Sequence, residues 1–289
     1  MTPEIFSTHR CVLGEGPIWD EQSKALWWVD IKSSRILNKS PESNKTHSWE
    51  QPVRPSALAR SNNGDFVVAY EDGVYRWCSQ TNERTLLAVL RDEPANNRSN
   101  DGKCDRYGRM WIGTMDDGET KDTGALHCCW ADGRSERVLG GVGISNTLAW
   151  TAGSETFYFA DSKQQLIWAF DCEPDKPKLH NRRVFVNLQG TNFYPDGSCI
   201  DSDGYLWNAQ WDGWRVVRYA PDGTEDKVVH LPVQRPTSCI IGGENGKTLF
   251  ITSASIGLEQ ELKTDQPHAG FVFAVPIEVP GQPQTLFGD

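Results

Sequence analysis

Residues 15–29 read EGPIWDEQSKALWWV: an acidic residue opens a short apolar strand, a turn follows, and a strand rich in Trp and Leu runs back. This arrangement occurs six times along the chain, and most of the later turns contain Gly. A repeat of about 45 residues with several strands per unit is typical of a β-propeller blade. The sequence therefore predicts an all-β, six-bladed β-propeller. The opening residues are Glu15, Ser56, Asp101, Asn146, Asp196 and Ser238, at intervals of 41, 45, 45, 50 and 42 residues.

The two ends of the chain lack partners within the repeat. The last strand, Phe271–Val275, is followed by too few residues to complete a four-stranded blade, and the first strand, Glu4–Ser7, has no blade of its own. Pairing them would close the ring and cover an exposed edge. The repeats and the termini use nearly all of the 289 residues, so we expect residues 1–289 to form a single propeller domain.

Composition excludes several classes of partner. The formal net charge is −10 and the isoelectric point about 5.1, so a nucleic-acid backbone would be repelled. The sequence contains no run of 18 apolar residues and no basic, apolar N-terminal signal. We therefore expect that the chain neither spans a membrane nor is secreted. The eight Cys residues form no CxxC pair, as expected for reduced thiols. We expect a cytoplasmic monomer that acts on a small molecule.

The polar segment between Met115 and Gly124 interrupts the rhythm of the third repeat. Residues 116–123 read DDGETKDT, which predicts a loop at one end of the propeller. A lid over a site and a plain solvated loop are both compatible with this composition.

Radial repetition brings the opening residues together at one mouth of the central channel. Three of them, Glu15, Asn146 and Asp196, carry strong oxygen donors, and the third repeat adds the cluster Arg98–Asp101. Two carboxylates and an amide on one axis would repel each other without a cation, and oxygen ligands suit Ca²⁺, Mg²⁺ or Mn²⁺. Glu-Gly and Asp-Gly pairs also form ordinary turns, so on spacing alone a structural role stays open.

Other catalytic patterns are missing from the sequence. It contains no GxSxG elbow, HExxH pair or phosphate-binding Walker loop. Trp19-Asp20 and Trp211-Asp212 resemble the WD dipeptides of interaction propellers, but no repeated Gly-His partner accompanies them.

Over almost its full length the chain resembles the gluconolactonase family that includes regucalcin (senescence marker protein). The resemblance implies a six-bladed propeller with one divalent metal ion in its channel, bound by Glu15, Asn146 and Asp196. It also implies that Arg98 and Asn100 bind the sugar hydroxyls and the lactone. The phrases that carry it are LGEGPIW (13–19), VDI (29–31), NNRSNDG (96–102), GTM (113–115), ISN (144–146), YPDG (194–197) and AGFVF (269–273).

We therefore expect a metal-dependent sugar lactonase that opens an aldonolactone, such as xylono-, arabino-, galactono- or gluconolactone, to the aldonic acid. The ion (Ca, Zn, Mn, Mg or Fe(II)) would polarise the carbonyl, and Asp196 would act as general base. The alternatives are an esterase or phosphotriesterase using the same site, and a calcium-binding regulatory protein without catalysis. Thr147 departs from the Gly that many members carry, from which we expect a narrower pocket.

Overall fold

The computed structural model describes residues 2–173, 176–261 and 264–288. Within these residues, 24 strands form six antiparallel four-stranded sheets. The inner strand of each sheet contacts the inner strands of both neighbouring sheets, and these contacts run around the whole ring. The sheets are therefore the blades of a closed propeller, and the predicted fold is confirmed.

Each blade is built from strands in sequence order, apart from the last blade. The inner strands are β2 (Gly14–Asp20), β6 (Pro55–Arg60), β10 (Asn97–Cys104), β14 (Ser145–Trp150), β18 (Tyr194–Ile200) and β22 (Pro236–Gly242). The second strands are β3 (Ala25–Asp30), β7 (Phe66–Tyr70), β11 (Met110–Asp116), β15 (Thr156–Asp161), β19 (Leu206–Trp211) and β23 (Thr248–Ser253). The third strands are β4 (Arg35–Lys39), β8 (Gly73–Trp77), β12 (Gly124–Cys129), β16 (Leu166–Cys172), β20 (Arg215–Tyr219) and β24 (Val272–Pro276). The outer strands are β5 (His47–Glu50), β9 (Arg84–Ala88), β13 (Ser135–Val142), β17 (Leu179–Asn187), β21 (Glu225–His230) and β1 (Glu4–Ser7).

A short 3-10 helix, Ser162–Gln164, lies between β15 and β16. No helix among the described residues is long and apolar enough to cross a membrane.

The N-terminal strand closes the ring. Strand β1 pairs antiparallel with β24, with Glu4 opposite Ala274 and Ile5 opposite Phe273, so blade six has the order β22-β23-β24-β1. The N-terminal strand thus completes a blade whose other three strands come from the C-terminal part of the chain, as the sequence predicts.

The hydrophobic core consists of clusters between neighbouring blades. Between blades one and two, the ring of Trp27 lies 4.4 Å from Phe66 and 6.1 Å from Trp77, centre to centre. Burying one such aromatic ring removes about 150–250 Å² from water, or roughly 4–6 kcal/mol as an upper bound. The buried Trp111 and Trp207 lie on the second strands of blades three and five, and Trp28, next to Trp27, packs in the cluster between blades one and six. The interblade clusters fix each blade against the next and so fix the inner strands around the channel.

A buried aspartate anchors the first hairpin of two blades. Asp105 Oδ2 accepts a hydrogen bond from Trp111 Nε1 at 2.8 Å, and Asp201 Oδ2 accepts one from Trp207 Nε1 at 3.0 Å. Asp201 also accepts a hydrogen bond from Arg218 Nε at 2.7 Å. These N–H groups are buried and cannot reach water, so the carboxylates supply the hydrogen-bond acceptors that they need.

The C-terminal segment crosses one mouth of the channel. After β24, Gly281 bridges to Asp201 and Phe287 bridges to Ser61, and the Phe287 side chain is buried against blades two and three. This segment and the C-terminal ends of the inner strands line a cavity of about 670 Å³. The N-terminal ends of the inner strands surround the opposite mouth, where the predicted site residues lie.

Candidate active site and metal centre

Irregular pairing interrupts the start of each inner strand, and in three blades the opening side chain, Glu15, Asn146 or Asp196, lines the cavity at this mouth. In every blade the register between the inner and second strands shifts at the opening residue, as between Glu15 and Ile18 or between Asn146 and Ala149. A β-bulge of this kind redirects a side chain that a regular strand would place against a neighbouring blade. The bulge after Glu15 uses Gly16 at φ +52°, a left-handed conformation that glycine adopts readily.

The five predicted site residues line one cavity of about 450 Å³ at this mouth. All five are buried, with exposed fractions between 3% for Asn146 and 9% for Asn100. The cavity is smaller than that at the opposite mouth, but it collects carboxylate, amide and guanidinium groups. Its lining residues are Leu13, Glu15, Arg98, Asn100, Met115, Glu119, Ile144, Asn146, Ser162, Lys163, Tyr194, Asp196 and Trp211.

Hydrogen bonds fix the orientation of the Asn146 amide. Its Nδ2 donates to Ser162 Oγ at 2.8 Å, and Ser162 Oγ donates to the Pro195 carbonyl at 2.5 Å. On the other side, Asn100 Nδ2 donates to Asn146 Oδ1 at 3.3 Å. Because the amino group is already engaged, the carbonyl oxygen is the group that Asn146 offers to a ligand.

Glu15 and Asp196 are neighbouring buried carboxyls, and each affects the pKa of the other. Desolvation, helped by the charge of Asp101, raises the pKa of Glu15 to about 8. Desolvation and then the charges of Glu15 and Asp101 raise the pKa of Asp196 well above its usual range. The backbone N–H of Gly16, 3.1 Å from Glu15 Oε2, offsets only part of this cost. The cavity thus concentrates negative charge that a bound cation would stabilise.

The donor set fits a divalent cation with oxygen ligands. Throughout residues 2–173, 176–261 and 264–288, no three acidic, His or Cys side chains form a metal-binding group by themselves. The available set is two carboxylates, Glu15 and Asp196, with the amide oxygen of Asn146, and such a set leaves open positions for water or substrate. The shared burial and raised pKa values of the two carboxyls are the structural observation that favours a cation here.

Asp101 is a third buried carboxyl for which sequence reasoning gave no individual role. It is 6% exposed, and its Oδ1 accepts a hydrogen bond from the Gly102 N–H at 2.8 Å. Desolvation raises its pKa. The signal was available, because Asp101-Gly102 occupies the repeat position of Asp196-Gly197. Asp101 does not line the cavity, so it acts on Glu15 and Asp196 through its charge.

Arg98 and Asn100 project from β10 beside these carboxyls. Arg98 Nη1 donates to the Ser99 carbonyl at 3.0 Å and to Asn100 Oδ1 at 2.8 Å. Asn100 Nδ2 also donates to the Ser145 carbonyl at 3.0 Å. Burial lowers the pKa of Arg98, but an arginine remains protonated at any physiological pH. The cavity therefore contains a buried cation, Arg98, beside its acidic side.

Two aspartates at the ends of second strands hold the segments that lead into the strands carrying Glu15 and Asn146. Asp30 accepts hydrogen bonds from the N–H groups of Val12 and Leu13 at 2.9 and 3.0 Å. Asp161 does the same for Gly143 and Ile144 at 2.9 and 3.0 Å. Sequence reasoning assigned these aspartates no role. Their shared position in blades one and four shows how the fold aligns the strands that carry Glu15 and Asn146.

Thr147 does not narrow the cavity, and that expectation was wrong. The side chain is fully buried and is absent from the cavity lining. Its backbone is left-handed at φ +56°, which is costly for a β-branched residue. The hydroxyl donates to the Asp196 carbonyl at 2.5 Å and accepts a hydrogen bond from Asn208 Nδ2 at 3.1 Å. These contacts join blades four and five directly behind Asp196.

The loop between β11 and β12 is held at both ends. Asp117 pairs with Arg98 at 2.9 Å, and Asp122 pairs with Lys163 at 2.6 Å. Between them Glu119, at φ +57°, lines the cavity. The segment predicted to be a loop is thus a loop at the site, tied to blades three and four.

Known proteins are similar in sequence to most of this chain. A family model described as SMP-30/Gluconolactonase/LRE-like region matches residues 13–255. Regucalcin of Gallus gallus is 35% identical, over 94% of this chain and 93% of that protein. The 6-deoxy-6-sulfogluconolactonase of Pseudomonas putida is 31% identical, over 96% of this chain and 95% of that protein.

A solved structure agrees closely. The crystal structure of regucalcin from Agrobacterium tumefaciens, described as a calcium-binding protein, superposes with a TM-score of 0.94 at 27% identity. The superposition covers 99% of this chain and 97% of that one. Since the family model also spans most of the chain, this protein belongs to the SMP-30/gluconolactonase/LRE-like family.

Proposed function

We propose that the protein is a metal-dependent sugar lactonase that hydrolyses an aldonolactone to the aldonic acid. The observation that carries the proposal is the convergence of Glu15, Asp196 and Asn146 with Arg98 and Asn100 on one cavity of about 450 Å³. The family relationship to a sulfogluconolactonase supports a lactone substrate. A cavity of this size is of the order that small-molecule sites occupy.

Glu15, Asp196 and the amide oxygen of Asn146 would hold one divalent ion. When bound, such an ion supplies Lewis-acid polarisation of the lactone carbonyl and makes a nearby water more acidic. The chain supplies the rigid oxygen ligands, because Ser162 and the Gly16 N–H hold Asn146 and Glu15 in place.

Asp196 is the proposed general base. Its carboxyl lies in the cavity and accepts a hydrogen bond from the Gly197 N–H, which limits its rotation. It would take the proton of the attacking water as the water oxygen forms its bond to the lactone carbonyl carbon. The ring C–O bond then breaks, and Asp196 would return that proton to the ring oxygen, which becomes a hydroxyl of the open acid.

Arg98 and Asn100 are the proposed substrate-binding residues. Nε and Nη1 of Arg98 are engaged, and among the described residues none accepts a hydrogen bond from Nη2. Both N–H groups of Asn100 are also used, so its remaining capacity is one lone pair on Oδ1. Arg98 would therefore donate to substrate oxygens, while Asn100 would accept from one hydroxyl.

A panel of lactones tests this function. Protein stripped with a chelator is given Ca²⁺, Zn²⁺, Mn²⁺, Mg²⁺ or Fe²⁺ in turn and assayed on xylono-, arabino-, galactono- and gluconolactone by acid release. We expect no turnover without an ion and restoration by at least one ion. Full activity of the stripped protein would contradict the proposal.

Calcium binding without catalysis is the second candidate, because one structural relative is described as a calcium-binding protein. The same panel separates the two, since a calcium-binding regulator would bind the ion and hydrolyse none of the lactones. Arg98 and Asn100 favour catalysis, because holding a cation requires neither a guanidinium nor an extra amide in the cavity.

A further inference from the structure

Asp117, the first residue of the loop after β11, lies among three cationic side chains. Its Oδ1 accepts a hydrogen bond from Arg98 Nε at 2.9 Å. Arg54 approaches from the segment between β5 and β6 and donates from Nη1 to Oδ1 at 2.9 Å and from Nη2 to Oδ2 at 3.1 Å. Lys32 Nζ lies 3.8 Å from Oδ1. Blades one, two and three therefore meet at this carboxylate.

A continuous chain of hydrogen bonds runs from Asp117 into the proposed metal centre. Arg98, held by Asp117, donates to Asn100 Oδ1 at 2.8 Å. Asn100 in turn donates to the Asn146 amide oxygen at 3.3 Å. A shift of the Arg98 guanidinium would thus disturb both the substrate-binding donors and the orientation of a metal ligand.

The Arg98 guanidinium has two competing sets of anions. On one side it contacts Asp117, and on the other it lines the cavity that also contains the buried carboxyls of Glu15 and Asp196. Only 4% of the Arg98 side chain is exposed, so water offers little compensation if Asp117 is lost. Without that anchor, the guanidinium would move toward Glu15 and Asp196 and compete there with a cation.

Arg54 keeps the anchor itself in place. Its Nε donates to Glu71 Oε2 at 2.5 Å, so both edges of this guanidinium are occupied. The bidentate contact with Asp117 fixes the carboxylate plane as well as its position. Arg54 thereby orients the oxygen that receives Arg98 Nε.

We propose that Asp117, held by Arg54, is a positioning residue that keeps Arg98 on the substrate side of the cavity and leaves Glu15 and Asp196 free to bind the ion. The inference rests on the proposed lactonase function for its kinetic consequence. Its consequence for ion binding is independent of any substrate.

The test compares Asp117→Asn with Asp72→Asn. Asp72 makes a similar bidentate pair with Arg84, at 3.1 and 3.0 Å, on the outer part of blade two. The two carboxylates are similarly exposed, 33% for Asp117 and 39% for Asp72. Both variants are assayed for lactone hydrolysis, and Mn²⁺ binding is measured directly by calorimetry on chelator-stripped protein.

We expect Asp117→Asn to raise KM roughly 10-fold to 100-fold, the range for losing a charge-assisted hydrogen bond. The affinity for Mn²⁺ should fall about 10-fold, and kcat at saturating Mn²⁺ should stay within about 3-fold of wild type. Asp72→Asn should change none of these values. Arg54→Lys keeps the charge but loses the bidentate contact with Asp117, and it should raise KM by a smaller factor than Asp117→Asn does.

An Arg98→Lys background distinguishes positioning from general support of the fold. If Asp117 acts through Arg98, adding Asp117→Asn to Arg98→Lys should raise KM by less than 3-fold. Additive effects, or unchanged KM and Mn²⁺ affinity in Asp117→Asn, would overturn the inference. If Asp117→Asn does not fold, the KM and the Mn²⁺ affinity of Arg54→Lys test the inference instead. Should wild-type protein bind Mn²⁺ but hydrolyse no lactone, the proposed function fails while the Mn²⁺ affinities still decide the role of Asp117.

Discussion

Replacing Glu15 by Gln should stabilise the ion-free protein at alkaline pH while it removes ion binding. In the fold, burial raises the pKa of Glu15 from 4.5 to about 8. The native state therefore holds a proton that the unfolded state releases, and the free energy of unfolding falls as pH rises from about 4.5 to about 8. Each unit of pKa shift corresponds to about 1.4 kcal/mol, so ionisation of Glu15 lowers the free energy of unfolding by up to about 5 kcal/mol. Gln carries no charge and avoids this cost.

The assay is urea unfolding of chelator-stripped wild type and Glu15→Gln at pH 5 and pH 8.5. We expect similar midpoints at pH 5, where Glu15 is protonated. At pH 8.5 the variant should be more stable by about 2–5 kcal/mol. At an m value of about 3 kcal/mol/M, a gain of 3 kcal/mol moves the midpoint by about 1 M.

Adding an ion narrows this difference in stability. An ion at 100 times its dissociation constant should stabilise wild type by about 2.7 kcal/mol and Glu15→Gln by much less. Glu50→Gln is the control, because the Glu50 side chain is 78% exposed and lies on an outer strand. Equal or lower stability of Glu15→Gln at pH 8.5 without ion, or an equal gain on adding it, would refute the reasoning.

Three further substitutions test separate contacts. Asp196→Asn removes the proposed base at nearly constant volume and should lower kcat at least about 100-fold in an acid-release assay; a loss under tenfold would argue against that role. Thr147→Val removes the hydroxyl that donates to the Asp196 carbonyl and should cost about 1–1.5 kcal/mol by urea unfolding, whereas Thr147→Ser should cost less than about 1, and equal losses would contradict the account. Asp201→Ala removes the acceptor of Trp207 Nε1 and Arg218 Nε and should lower the free energy of unfolding by about 3–5 kcal/mol. A decrease below about 1 kcal/mol would show that the carboxylate is dispensable.

The fold could be predicted from the sequence because each blade repeats a local pattern. An opening polar residue, a short apolar strand and a Trp- or Phe-rich return strand recur at similar spacing, and hairpin pairing follows from adjacency. Closure by Glu4–Ser7 followed from counting strands, and the structure confirms it. The C-terminal segment was not anticipated, because a single Phe287 in a polar tail gives no periodic signal for its burial between blades two and three.

The candidate site was predictable in its residues but not in its supporting contacts. Repeat position placed Glu15, Asn146 and Asp196 at one mouth, and they line one cavity. The contact of Arg98 with Asp117 depends on how a loop folds back over its own blade, which no spacing encodes. Thr147 was misjudged because sequence alone does not show that its left-handed backbone turns the hydroxyl away from the cavity.

The most direct measurement is anomalous diffraction from crystals of the protein soaked in Mn²⁺. The account predicts one strong peak on the channel axis, within about 2–2.6 Å of a carboxylate oxygen of Glu15, a carboxylate oxygen of Asp196 and Oδ1 of Asn146. A peak bound by other residues, or no peak at this mouth under conditions that support lactone hydrolysis, would contradict it.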